Sequence, residues 1–97
     1  LDTSNIEDME GMFDGCVNLK TIPLLDTSKV EDMEGMFYGC HKLKSIPDLD
    51  TKNLIHMFSM FNDCYELEFI NPYKFSKVNW EDTRSKKLKE KYPELFI

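Results

Sequence analysis

The sequence predicts an α/β repeat solenoid, a stack of short helix plus short parallel strand per 24-residue unit with a C-terminal helical cap. Three observations predict it. One 24-residue phrase recurs without a gap at 1–24, 25–48 and 49–72. Within each copy the apolar spacing changes halfway, from steps of three and four to a brief run that ends at or near a proline. Residues 73–97 then leave the phrase and reverse its charge. The first two units agree at 17 of 24 positions and the second and third at 9 of 24, mostly apolar ones. Repetition of the apolar positions is what a stack needs, because one unit cannot bury its own face.

The first half of each unit reads as a helix. Ile6, Met9, Met12, Phe13 and Cys16 fall on one face at spacings of three and four, and Val30, Met33, Met36, Phe37 and Cys40 repeat them. Leu54, Met57, Met60, Phe61 and Cys64 follow in the third unit. Ser4-x-x-Glu7 and Ser28-x-x-Glu31 read as capping boxes, and Gly15 and Gly39 as left-handed helix ends. Asp63 replaces that glycine in the third unit, which makes its helix end less favourable. The structural ladder is accordingly Met12, Met36 and Met60; Phe13, Phe37 and Phe61; and Cys16, Cys40 and Cys64.

The second half reads as a short strand. Leu19-x-x-Ile22-Pro23, Leu43-x-x-Ile46-Pro47 and Leu67-x-x-Ile70-Asn71 either end in proline or run into Pro72, so each strand is brief. Parallel stacking sets copies about 4.8 Å apart. Outward positions on this strand face are Lys20, Thr21 and Pro23, then Lys44, Ser45 and Pro47, then Glu68, Phe69 and Asn71. The candidate binding residues are Lys20, Thr21, Lys44, Ser45, Glu68, Phe69 and Asn71, because recognition is written where copies differ on a constant frame. Phe69 is the one large apolar residue among them, and Tyr38 and Tyr65 are further non-repeating aromatics.

Charge divides the chain. Residues 1–72 carry 5 Lys or Arg against 14 Asp or Glu, and residues 73–97 carry 7 against 4. An acidic body repels phosphate and argues against a nucleic-acid partner. In the tail, Val78 keeps the repeat slot of Leu54 but Glu81 stands where Met57 would recur. Asn79 then reads as the cap of a helix over about 80–91, ended by Pro93, with Leu95, Phe96 and Ile97 folding back as a latch. Such a segment suits the closed end of a stack, while the Leu1 end has no equivalent and is expected to meet upstream units or another chain.

No catalytic constellation emerges, and no enzyme is expected. His41 and His56 occupy different repeat positions and have no nucleophile placed beside them. The three cysteines follow the repeat rather than any metal spacing. Stacking brings their α-carbons within disulfide range but with side chains parallel, so free, buried thiols are expected, with a disulfide or a metal as the lesser readings. Asp2, Asp26 and Asp50 form a carboxylate ladder that local amides can satisfy as turn residues, with a calcium ladder as the alternative. Glu7, Asp8, Glu10, Asp14, Glu31, Asp32 and Glu34 read as a solvated acidic face on the opposite side. No cofactor or metal is expected. No run of apolar residues is long enough for a membrane helix, and Leu1-Asp2-Thr3-Ser4 has neither an initiator Met nor a leader pattern.

The phrase LDTS-x-[IV]-x-x-M-x-x-MF-x-GC-x-x-L-x-x-IP resembles the BspA-like leucine-rich repeats of bacterial surface proteins, including many-copy versions in mycoplasma lipoproteins and in gut-bacterial and phage proteins. The resemblance covers residues 1–72, and the tail matches nothing. The third copy departs from it: Lys52, Asp63 and Asn71 stand where the second has Ser28, Gly39 and Pro47. What the resemblance implies is a non-catalytic recognition or adhesion module, extracellular or surface-associated, that binds a protein or glycan. The chain is expected to be the C-terminal end of a longer repeat protein. The alternative is a structural spacer or assembly element of a virion or surface polymer, with chain–chain contact at the open N-terminal end.

Overall fold

Backbone amides choose between two kinds of partner along each unit, and that choice sets the architecture. The computed structural model describes residues 2–97; Leu1, the first residue of the first phrase, lies outside the described residues. In the first unit the amides of Met12, Asp14 and Cys16 turn back to carbonyls three residues earlier, those of Met9, Gly11 and Phe13. The amides between them reach outward: Met9, Gly11, Phe13 and Gly15 donate to Asp32, Glu34, Met36 and Tyr38 of the second unit. The second unit repeats this onto the third, through Met33, Gly35, Phe37 and Gly39 to His56, Phe58, Met60 and Asn62. A helix would need every one of these amides to bond four residues back.

This overturns the expected fold. Among the described residues of the three units there is no α-helix and no strand beyond single parallel pairs, Asp8 with Asp32, Asp32 with His56, and Ser45 with Phe69. The protein is therefore not an α/β repeat solenoid of the leucine-rich-repeat kind. Its units are successive turns laid side by side in register. The physical reason is at Gly11 (φ 63°) and Gly15 (φ 76°), repeated at Gly35 and Gly39. Each sits at the third position of a turn, where a type II geometry demands positive φ. A left-handed residue every fourth position stops a helix from propagating. Ser59 (φ 56°) and Asp63 (φ 59°) hold the same conformation in the third unit without being glycine.

The capping boxes also give way. Asp2 and Asp26, not Ser4 and Ser28, supply the side-chain oxygens, accepting the amides of Ser4 (2.9 Å) and Ser28 (3.0 Å), and Asp50 does the same for Lys52 (2.9 Å). These are Asx turns, and they satisfy each carboxylate of the ladder locally. Asp8 and Asp32 make the same turn with Glu10 and Glu34. Buried Thr3 and Thr27 tie units together, each hydroxyl donating 2.8 Å to the carbonyl of Asp26 or Asp50 in the next unit.

The core is a continuous column under these turns. Phe13, Phe37 and Phe61 stack at centroid spacings of 5.5 Å with nearly parallel planes. Trp80 continues the row over Phe61 at 5.6 Å, and Phe75 meets Phe61 edge-on. Val30, Met33, Met36, Leu43, Met60 and Leu67 are fully buried beside them. The expected helix over 80–91 is broken in two. Trp80–Thr83 is a short 3-10 turn capped by Asn79, Arg84 is left-handed (φ 57°), and α1 spans Lys86–Lys91. Ser85 makes the break productive, because its hydroxyl accepts the Leu88 amide and donates 2.6 Å to the Leu67 carbonyl. Pro93–Leu95 forms a last 3-10 turn; Leu95 and Phe96 pack on the core, while Ile97 is fully exposed. Among the described residues no helix is long and apolar enough to cross a membrane.

Candidate functional site

The strand-face residues come together as a register, without forming strands. Lys44 donates its amide to Lys20, and both Glu68 and Phe69 donate to Lys44. The Ser45 hydroxyl donates to that of Thr21 at 3.1 Å. Lys20, Thr21, Lys44 and Asn71 are exposed, Ser45 and Glu68 are half-buried, and Phe69 stands 57% exposed. The tail engages the end of this row. Lys91 Nζ lies 4.4 Å above the Phe69 ring and 3.5 Å from the Glu68 carboxylate, and the Asn71 side chain accepts the Tyr73 amide as a local cap. Beyond Phe69 a shallow groove is lined by Ile46, Pro47, Leu49 and Lys74. The basic tail is bound to the acidic body at several points: Lys74 with Asp48 (2.6 Å), Arg84 with Asp63 (3.5 Å) and Lys87 with Glu66 (4.0 Å).

The structural ladder divides by unit. Met36, Met60, Phe37, Phe61, Cys40 and Cys64 are fully buried, whereas Met12 is exposed, Phe13 is half-buried and Cys16 is exposed. All three cysteines are free. The Cys40 thiol donates to the Phe13 carbonyl (3.1 Å) and the Cys64 thiol to that of Phe37 (3.2 Å). Burial pushes the Cys40 thiol up to about 11 from its ordinary 9.0, with the neighbouring Cys16 adding to the rise. Burial raises Cys64 further still. Neither is poised as a nucleophile. His41 stacks on Tyr65 at 4.9 Å, one unit apart.

Sequence reasoning missed an exposed apolar pair within the third unit. Phe58 is 75% and Ile55 47% exposed, and with Glu34, His56 and Lys77 they line one groove. The signal was present in the alignment of the units. Ile55 stands where units one and two have Glu7 and Glu31, and Phe58 where they have Glu10 and Glu34. On that same face Asp8, Glu10 and Asp32 bring carboxylate oxygens within 4.8 Å of one another.

The family model described as "Mycoplasma protein of unknown function, DUF285" matches residues 1–91. The chain belongs to that family. No curated protein and no solved structure matches it significantly.

Proposed function

We propose that this chain is a non-catalytic recognition or adhesion module, surface-associated in the manner of the BspA-like proteins that its phrase resembles, and that it binds a protein or a glycan. The observation that carries the reading is where the frame varies. The buried positions repeat three times, while the exposed positions change from Glu7, Glu10 and Thr21 to Ile55, Phe58 and Phe69. Large apolar side chains kept in water on a rigid frame are the ordinary mark of a contact surface. Surface proteins and glycans displayed as arrays test it, read with the wild type and with an Ile55→Ser, Phe58→Ser, Phe69→Ser variant. The expected result is binding that the variant loses at an unchanged melting temperature. Silence across both arrays, together with failure of antibodies to label intact cells, would sink the reading.

A second reading, an assembly element, is favoured by the outer edge of the first unit. Among the described residues nothing donates to the carbonyls of Asp8, Glu10, Met12 and Asp14, whose counterparts in the next unit each accept an amide. The amides of Glu7, Asp8 and Lys20 have no acceptor either. Such an edge is a template for a further unit or for another chain. Light scattering decides between the two: particles that grow with concentration favour assembly, and a monodisperse monomer excludes it.

A further inference from the structure

Six carboxylates, those of Glu7, Asp8, Glu10, Glu31, Asp32 and Glu34, stand on the first two units outside every ion pair among the described residues. Asp8 and Asp32 are held in place by the amides of Glu10 and Glu34. The third unit ends this acidic field abruptly with Ile55, His56 and Phe58. The rows are joined across the units by backbone, since Glu31 donates to Glu7 and Ile55 to Glu31, and Asp8, Asp32 and His56 are paired in sequence. One face thus carries an acidic field and an apolar end. Lys77 lies at the far side of that end, its ammonium 3.4 Å from the Ile55 carbonyl.

The spacing of the units says what shape fits. The phenylalanine rings of the core recur every 5.5 Å, and the paired backbones under the acidic face lie about 4.8 Å apart. An α-helix rises about 5.4 Å per turn, whereas side chains on one face of a strand recur about every 6.6–6.8 Å. A helix laid across the units therefore stays closer to register over all three than a strand does. A basic helix satisfies these six carboxylates, and its positive N-terminal end is best placed over the first unit. An apolar residue nearer its C-terminus then covers Phe58 and Ile55.

We propose that this face docks an amphipathic basic helix of a partner protein, with an apolar anchor at position i on Ile55–Phe58 and Lys or Arg at i−4 and i−7 over the second and first units. The proposal rests on the recognition reading above and names the surface and the chemistry of its partner. The mode is that of a helix in a groove, with charge supplying register and orientation.

The test uses the whole chain and a synthetic 14-residue helical peptide with Trp at i and Lys at i−4, i−7 and i−11. A scrambled peptide of the same composition places Trp and Lys on opposite faces. Isothermal titration and amide chemical shifts are read on the wild type, on Phe58→Ser and on a Glu7→Gln, Glu10→Gln, Glu31→Gln variant. The expected result is affinity for the patterned peptide at least tenfold above the scrambled one. Shifts centre on residues 7–10, 31–34 and 55–58, Phe58→Ser loses the discrimination, and the glutamine variant loses the salt dependence. Equal affinity for both peptides, or no binding, overturns the proposal. Shifts gathered at Lys44 and Phe69 overturn it too but leave the recognition reading standing. Concentration-dependent self-association through Lys86 and Lys89 of a second copy would assign the acidic face to that copy and likewise overturn it.

Discussion

Cys16, Cys40 and Cys64 share one position in the phrase and have three different environments. The thiolate is the reactive form, and burial in an apolar column disfavours it at Cys40 and more so at Cys64. A disulfide reagent at neutral pH should titrate one thiol in the native protein, Cys16, and three after unfolding; two fast native thiols would contradict the buried column. The raised thiols also make stability depend on pH. A group whose folded pKa is raised contributes fully below its unfolded value and loses that contribution as pH rises to the folded one. For Cys40 the loss falls between pH 9 and about 11. The denaturant midpoint should decline across that window, and less steeply in Cys40→Ala. The Thr27 side chain ties the second unit to the third. Its buried hydroxyl meets the Asp50 carbonyl, so Thr27→Val keeps the shape and strands an acceptor. That change should cost about 1–3 kcal/mol in urea unfolding, and a cost near zero would mean that the link is dispensable.

Turns, rather than helices, are the elements here, and positive φ holds them. Gly39 sits at φ 74° with the Gly15 backbone 3.9 Å from where its Cβ would be. Gly39→Ala should therefore destabilise by about 1–2 kcal/mol, the cost of a left-handed L-residue. Ser59 already bears that cost. Ser59→Gly removes it but adds about 0.5–1 kcal/mol of unfolded-chain entropy, so a net gain of up to about 1.5 kcal/mol is expected. Thermal melts of both variants check the pair, and opposite signs are the requirement. The apolar spacing of three and four was legible as a buried face, and it is one. The same spacing suits a helix, because repeated turns of four residues also place every third or fourth side chain inward. The contrary signal was Gly11 and Gly35, glycines four residues before Gly15 and Gly39, in what would have been a helix interior.

Across the whole molecule, the tail is what completes the column at the third unit. Trp80 covers Phe61, Phe75 seals it edge-on, and Leu88 is buried through the Ser85–Leu67 link. Trp80→Ala should cost about 3–5 kcal/mol, read by loss of protection at the Met60 and Cys64 amides, which bond the Met57 and Phe61 carbonyls. A loss confined to residues 73–97 would show instead that the units stand without their cover. The charge asymmetry seen in the sequence has a local use, since Lys74, Arg84, Lys87 and Lys91 each meet an acid of the units. Each exposed pair contributes only about 0–1 kcal/mol, so the pairs serve register more than stability. Glu7, Asp8, Glu10, Glu31, Asp32 and Glu34 take no part in these pairs.

The sequence by itself determined the period, the inward positions of units two and three, and the turn role of Asp26 and Asp50. These are legible because burial and turn chemistry act residue by residue and repeat with the phrase. Only the tertiary structure decided that the units are turns instead of helix and strand, because alternate amides find carbonyls 23 residues away, beyond any local periodicity. It also decided that Phe69 is covered in part by Lys91 while Phe58 stands open. Exposure of one copy depends on what packs beside it, and a repeat alone assigns all its copies the same fate.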